Sequence, residues 1–182
     1  MMSLLIAAAL LAAPASAREK KIYLPYTPPS GLFSAEIPEG WAASEEETPR
    51  GIVTHIVGPS ESKGSWHAAY HVHYFEKSKP GFVDSREAMK IFRERDKTTD
   101  RDADQMTTWR VDNKPAKMFQ VRETRMLPGG RLPAERVSLH HFYMFVPSGR
   151  DEYYVIKLST TEETFLDYRA EFRRFMASFR TR

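Results

Sequence analysis

The stretch WHAAYHVHYF, residues 66–75, alternates between two kinds of side chain and so predicts a β-strand with two different faces. The even-numbered positions, from Trp66 to Tyr74, are all aromatic or aliphatic, which predicts a face that packs on the core. The odd-numbered positions carry His67, His71 and His73. The sequence thus raises the question of whether these imidazoles hold a metal ion or belong to an ordinary sheet face.

A metal ion would need ligands from more than this strand. Residues two apart on a strand lie about 7 Å apart, so His71 and His73 could lean toward one ion with bonds of about 2.0 to 2.1 Å. His67, about 13 Å from His71 along a straight strand, is not expected to join them. A third ligand could come from His140 or His141, and the candidate metal site is His71, His73 and His141. The alternative is structural, since half-buried imidazoles under a helix commonly bond a carbonyl or a water.

Several other segments alternate with period two and end at Gly, Pro or polar turns, which predicts an antiparallel meander. The acidic stretch 45–47 is interpreted as a connection between strands. The predicted strands are FSAEI (33–37), GIVTHIV (51–57), MTTWRV (106–111), KMFQVRETRML (117–127), ERVSLHHFYMFV (135–146) and YYVIKLS (153–159).

Two segments have a helical pattern instead. Asp84 is the predicted N-cap of a helix of about twelve residues, with Glu87 three positions on as in a capping box. In the last segment a stripe of apolar side chains from Phe165 to Phe179 predicts a buried helix face, and Thr160 with Glu163 predicts its capping box. An aromatic stripe of this kind indicates core rather than a cofactor site.

The N-terminal residues have the pattern of an export signal. An apolar run is followed by Ala15, Ser16 and Ala17, so we expect a signal peptide over residues 1–17 and a mature chain from Arg18. The run is about ten residues long, short of the roughly 20 that span a membrane as a helix, so no transmembrane span is expected after cleavage. The proline-rich residues 18–31 predict an extended arm, and residues 32–182 a single domain. The expected location is periplasmic or secreted.

Composition argues against several classes of function. Lys and Arg number 27 against 24 Asp and Glu, and the two signs are interleaved, so no nucleic-acid partner is expected. The chain has no cysteine and no Gly-x-Ser-x-Gly motif, and we assign no catalytic residue and no cofactor. A hydrolase would need a serine and a histidine brought together by folding in a deep pocket.

Three motifs and the order of the elements resemble the PsbP-like superfamily. The motifs are FSAEIPEGW (33–41), YYVIKLS (153–159) and FLDYRAEFRRFMASFR (165–180). The resemblance implies an α+β fold, an α-β-α sandwich with a central antiparallel sheet of about six to seven strands and an amphipathic C-terminal helix. It also implies a binding scaffold without a common active site, and it transfers no metal ligands to this chain.

Together these observations predict an exported, non-enzymatic binding or accessory module with an unknown protein partner in the cell envelope. Histidine-assisted metal binding is the alternative, and a hydrolase is the third possibility.

Overall fold

The structure, a computed structural model, describes residues 21–61, 66–128, 133–149 and 151–182. The predicted signal peptide, residues 1–17, and the start of the predicted arm lie outside the described residues. Within those residues the elements are β1 (Tyr23–Tyr26), β2 (Phe33–Pro38), β3 (Ala42–Thr48), β4 (Gly51–Glu61), β5 (Trp66–Phe75), α1 (Ser85–Arg93), β6 (Asp102–Ala103), β7 (Thr107–Val111), β8 (Lys114–Leu127), β9 (Glu135–Pro147), β10 (Tyr153–Thr161), α2 (Phe165–Ser178) and β11 (Arg180–Thr181).

The strands form two antiparallel sheets. The larger has eight strands in the order β3-β4-β5-β10-β9-β8-β6, with β7 paired to β8, and the smaller has the order β1-β2-β11. The predicted α+β class and antiparallel sheet are confirmed. The large sheet is wider than the predicted six to seven strands because β3 and the two-residue β6 extend its ends.

The segment that contains the acidic stretch is a strand and not a connection. Residues 42–48 pair with β4 as β3, and most of their side chains are exposed. A half-buried strand would have shown alternating apolar residues, whereas this edge strand needs only the backbone hydrogen bonds of one neighbour. Its charges also discourage pairing with another chain along the free edge.

A helix packs on each face of the large sheet, as the predicted sandwich requires. The aromatic face of β5 joins α2 in one cluster, where Tyr70 lies 4.9 Å from Phe175 and 5.5 Å from Phe172 between ring centroids. The opposite face joins α1 around Phe119, with the Tyr143 ring stacked at 5.2 Å. Within the described residues, neither helix is long and apolar enough to cross a membrane.

The two helix starts differ in how well the sequence predicted them. Asp84 is the N-cap of α1, as predicted, and accepts the backbone N–H of Arg86 at 2.9 Å and of Glu87 at 3.0 Å. The predicted capping box of Thr160 and Glu163 is wrong, because Thr160 still belongs to β10 and α2 begins at Phe165.

A buried carboxylate explains the later start of α2. Glu61, at the end of β4, accepts the Thr160 hydroxyl at 2.9 Å and the backbone N–H of Thr161 at 2.9 Å. These bonds keep the last residues of β10 extended, and a partner about a hundred residues away in the chain cannot be seen in a local pattern.

The burial of Phe172 gives a test of the packing of α2. Phe172 is 1% exposed and Leu166 on the same helix is 73% exposed. We expect Phe172→Ala to lower the free energy of unfolding by about 3 to 5 kcal/mol, because it leaves a cavity in the core. Leu166→Ala is the matched control and should change it by less than about 0.5 kcal/mol. Equal urea-unfolding curves for the two variants would show that α2 does not pack as described.

Candidate functional site

A row of polar side chains crosses the large sheet on the face that α1 only partly covers. In the strand register, His71 of β5 lies between His55 of β4 and Lys157 of β10, and Tyr143 of β9 lies beyond Lys157. Cross-strand partners point to the same side of a sheet, so these four side chains are neighbours on one face. The row is the candidate functional site.

His55 and His71 meet at the exposed end of this row. Their Nδ1 atoms are 2.9 Å apart, with the two rings nearly perpendicular at 85°. The other ring nitrogen of His55, Nε2, lies 3.2 Å from Oε1 of Glu46 on β3. When Nε2 of a neutral His55 donates its hydrogen to Glu46, Nδ1 of His55 carries a lone pair and accepts the Nδ1–H of His71.

Burial favours the uncharged forms of the ionisable side chains on this face. It lowers the pKa of His71 to about 3 and that of His73 to about 4, because an imidazolium loses its hydration there. The pKa of Lys157 falls to about 8 for the same reason. At neutral pH both imidazoles are therefore neutral, with a lone pair on one nitrogen of each ring.

The structure places the three predicted metal ligands on one face, but each has its own partner. His71 contacts His55, His73 Nε2 lies 3.3 Å from the Thr48 hydroxyl, and His141 lies on β9, on the far side of β10 from β5. In the described part of the chain, no three His, Cys, Asp or Glu side chains are placed to hold a metal together. Metal binding by His71, His73 and His141 stays a prediction.

The sequence left open whether His140 or His141 would face the strand histidines. His140 points to the α2 side, where its ring centroid lies 4.6 Å from that of Phe165. His141 shares the face of Tyr143, two residues on along β9.

His141 is instead part of a buried chain of hydrogen bonds. Its Nδ1 lies 2.9 Å from Oγ of Ser159, and its Nε2 lies 3.1 Å from Oε1 of Glu123. Arg101 and Arg125 also donate to Glu123, at 2.6 and 2.9 Å. These N–H donors, His141 first among them, hold the pKa of Glu123 well below its usual range.

The connectivity of Ser159, His141 and Glu123 is that of a Ser-His-acid triad. Burial lowers the pKa of His141 to about 4, so the neutral ring accepts from the serine and donates to the carboxylate. However, Ser159 is 1% and His141 4% exposed, which leaves no room for a substrate. Local patterns did not reveal this set, because it depends on the register of β8, β9 and β10.

Two cavities of the described residues lie elsewhere. One of about 990 Å³ lies where β8 and β9 meet the start of α2, between Leu127, Val137 and Glu162. Another of about 420 Å³ lies at the start of α1, between Phe82 and Tyr153. Neither is lined by a member of the triad-like set.

Comparison with known proteins and structures identifies the type of fold. The chain matches no known family profile and no curated protein. The solution structure of cyanobacterial PsbP (CyanoP) from Synechocystis matches with a TM-score of 0.50 and 13% identity, over 94% of this chain and 99% of that one. The chain has a PsbP-like fold. A Pseudomonas aeruginosa protein of unknown function, described as a candidate regulator, matches with a TM-score of 0.52 and 13% identity, over 88% of this chain and 97% of that one.

At this level of identity the PsbP-like match concerns the fold alone. It agrees with the resemblance seen in the opening FSAEIPEGW motif, which forms β2 and the turn that follows. A PsbP-like scaffold hosts different functions, so the chemistry of this chain has to be argued from its own side chains.

The closed triad predicts that Ser159 is structural. A fluorophosphonate probe should leave Ser159 unlabelled in the folded protein, because the hydroxyl is inaccessible. Ser159→Ala should lower the free energy of unfolding by about 1 to 3 kcal/mol, since Nδ1 of His141 loses its donor in a buried place. Labelling at Ser159, found by mass spectrometry of the digested protein, would contradict this assignment.

The lowered pKa of His71 predicts a loss of stability in acid. The unfolded chain binds a proton at this residue near pH 6.5 and the folded chain only near pH 3, so the unfolded state gains protons first as the pH falls. Stability is fully present above pH 6.5 and is lost below it, by up to about 1.4 kcal/mol per pH unit for one imidazole.

Urea unfolding between pH 7 and pH 4 measures this slope. His71→Gln should make the slope shallower by up to one proton, and His67→Gln, at an exposed position of the same strand, serves as the matched control. An unchanged slope in His71→Gln would mean that His71 protonates equally in both states.

Proposed function

We propose that the chain is an exported, non-enzymatic binding or accessory module with a protein partner in the cell envelope. The observation that carries this proposal is the closure of the triad-like set: the serine, histidine and carboxylate that a hydrolase would use are hydrogen-bonded to one another and buried. They stabilise the junction of β8, β9 and β10. The PsbP-like fold supports the same interpretation, because neither similar structure is described as an enzyme.

Export rests on the sequence pattern of residues 1–17. Protein isolated from the cell envelope or medium should begin at Arg18 when its N-terminus is sequenced. Protein that stays in the cytoplasm and begins at Met1 or Met2 would contradict export.

The binding part of the proposal requires a saturable partner. Mature protein, cross-linked in envelope extract and identified by mass spectrometry, should give a partner that excess unlabelled protein displaces. Two exposed leucines help to locate the surface: Leu24 on β1 and Leu166 on α2. Leu24→Glu and Leu166→Glu form a matched pair of variants. Loss of the cross-linked product with one of them shows which surface of the protein binds the partner. Absence of any displaceable product, or labelling of Ser159, would contradict a non-enzymatic binding module.

Metal binding is the second candidate function. The observation that favours it is the close approach of two ring nitrogens, those of His55 and His71, at the half-exposed end of the polar row. The ligand set predicted from the sequence, His71, His73 and His141, shares one residue with this pair.

A further inference from the structure

Nδ1 of His55 and Nδ1 of His71, two nitrogens that can bind a metal, lie on adjacent strands and are joined by an N–H···N hydrogen bond of 2.9 Å. Two nitrogens 2.9 Å apart, each bound at about 2.0 to 2.1 Å, enclose an angle of about 90° at the ion. A tetrahedral ion would require about 3.3 Å between them. Square-planar and tetragonal ions, copper(II) and nickel(II), place neighbouring ligands at the smaller angle.

The second nitrogen of His55 is already held as metal-binding histidines usually are. Histidine ligands commonly donate their other N–H to a carboxylate, which fixes the tautomer and makes the free nitrogen more basic. Glu46 is placed to accept Nε2–H of His55 at 3.2 Å, and this leaves the Nδ1 lone pair directed toward His71.

His71 can become the second ligand without releasing a proton to solvent. In the observed pair its Nδ1–H points to His55, and a shift of that hydrogen to Nε2 of the same ring frees the Nδ1 lone pair. Both rings then have to turn so that their lone pairs meet at the ion. His55 has room for this rotation, because its side chain is 30% exposed.

We infer that His55 and His71 form a two-histidine chelating site for a late first-row divalent cation, copper(II) above all, with Glu46 as the outer hydrogen-bond partner of His55. The inference rests on the second candidate function but assigns a different ligand pair from the one that the sequence suggested. Water completes the coordination on the exposed side of His55. Copper(II) should bind more tightly than zinc, by the general order of divalent affinities.

The charged side chains around the two histidines have opposite effects on cation binding. Glu46 on β3 attracts a cation, whereas Lys157 on β10, beside His71, repels one.

Copper(II) titration of the mature, tag-free protein tests the site. We expect one equivalent to bind, with an electron paramagnetic resonance spectrum that shows coupling to two nitrogen nuclei. His55→Gln and His71→Gln should each weaken binding at least tenfold, and Glu46→Gln by about tenfold. His67→Gln, on the same strand and face, is the matched control and should bind as the wild type does.

The variants separate the possible failures. Loss of binding in His73→Gln or His141→Gln with His55→Gln unaffected would overturn this pair and support the ligand set predicted from the sequence. No coupling to nitrogen in the wild type, or copper bound equally by His55→Gln and His71→Gln, would overturn the site. Because purified protein is used, neither result depends on export or on a protein partner.

Discussion

The inner position of β5, with its aromatic face packed on α2 and its histidine face partly covered, is the constraint on which the rest of the structure depends. On one face, Tyr70 packs between Trp41 and the phenylalanines of α2, with a centroid distance of 4.6 Å to Trp41. On the other face the strand carries imidazoles, which lose most of their hydration in this position. A buried imidazole is stable when it is neutral and hydrogen-bonded, so the strands beside β5 have to supply partners.

Those partners determine how the polar face is organised. At the inner end, Glu123 keeps its charge because His141, Arg101 and Arg125 surround it with N–H donors. At the outer end, His71 has another histidine as its partner, and the chain of hydrogen bonds ends at the exposed carboxylate of Glu46. A histidine is thus held by the buried charge of Glu123 at the inner end, whereas the tautomers of the two histidines at the outer end can still change.

The sequence predicted what depends on local periodicity. Alternation along residues 66–75 correctly separated the aromatic face from the histidine face, and the Asp84 cap and the buried stripe of α2 are confirmed. It did not predict what depends on strand register. His55 could not be linked to His71, because nothing in GIVTHIV indicates which residue of the next strand it faces, and Glu61 could not be linked to Thr160.

Accessibility, more than the identity of the residues, separates structure from chemistry in this protein. Ser159, His141 and Glu123 have the connectivity of a catalytic set, but they are buried and hydrogen-bonded to one another within the sheet. His55 and His71 form a simpler pair, but one ring is half-exposed and the lone pairs can be freed by a tautomer shift. A fold that leaves one end of a polar row open therefore leaves only the side chains at that end accessible for binding. For this chain that end is the edge formed by β3, β4 and β5.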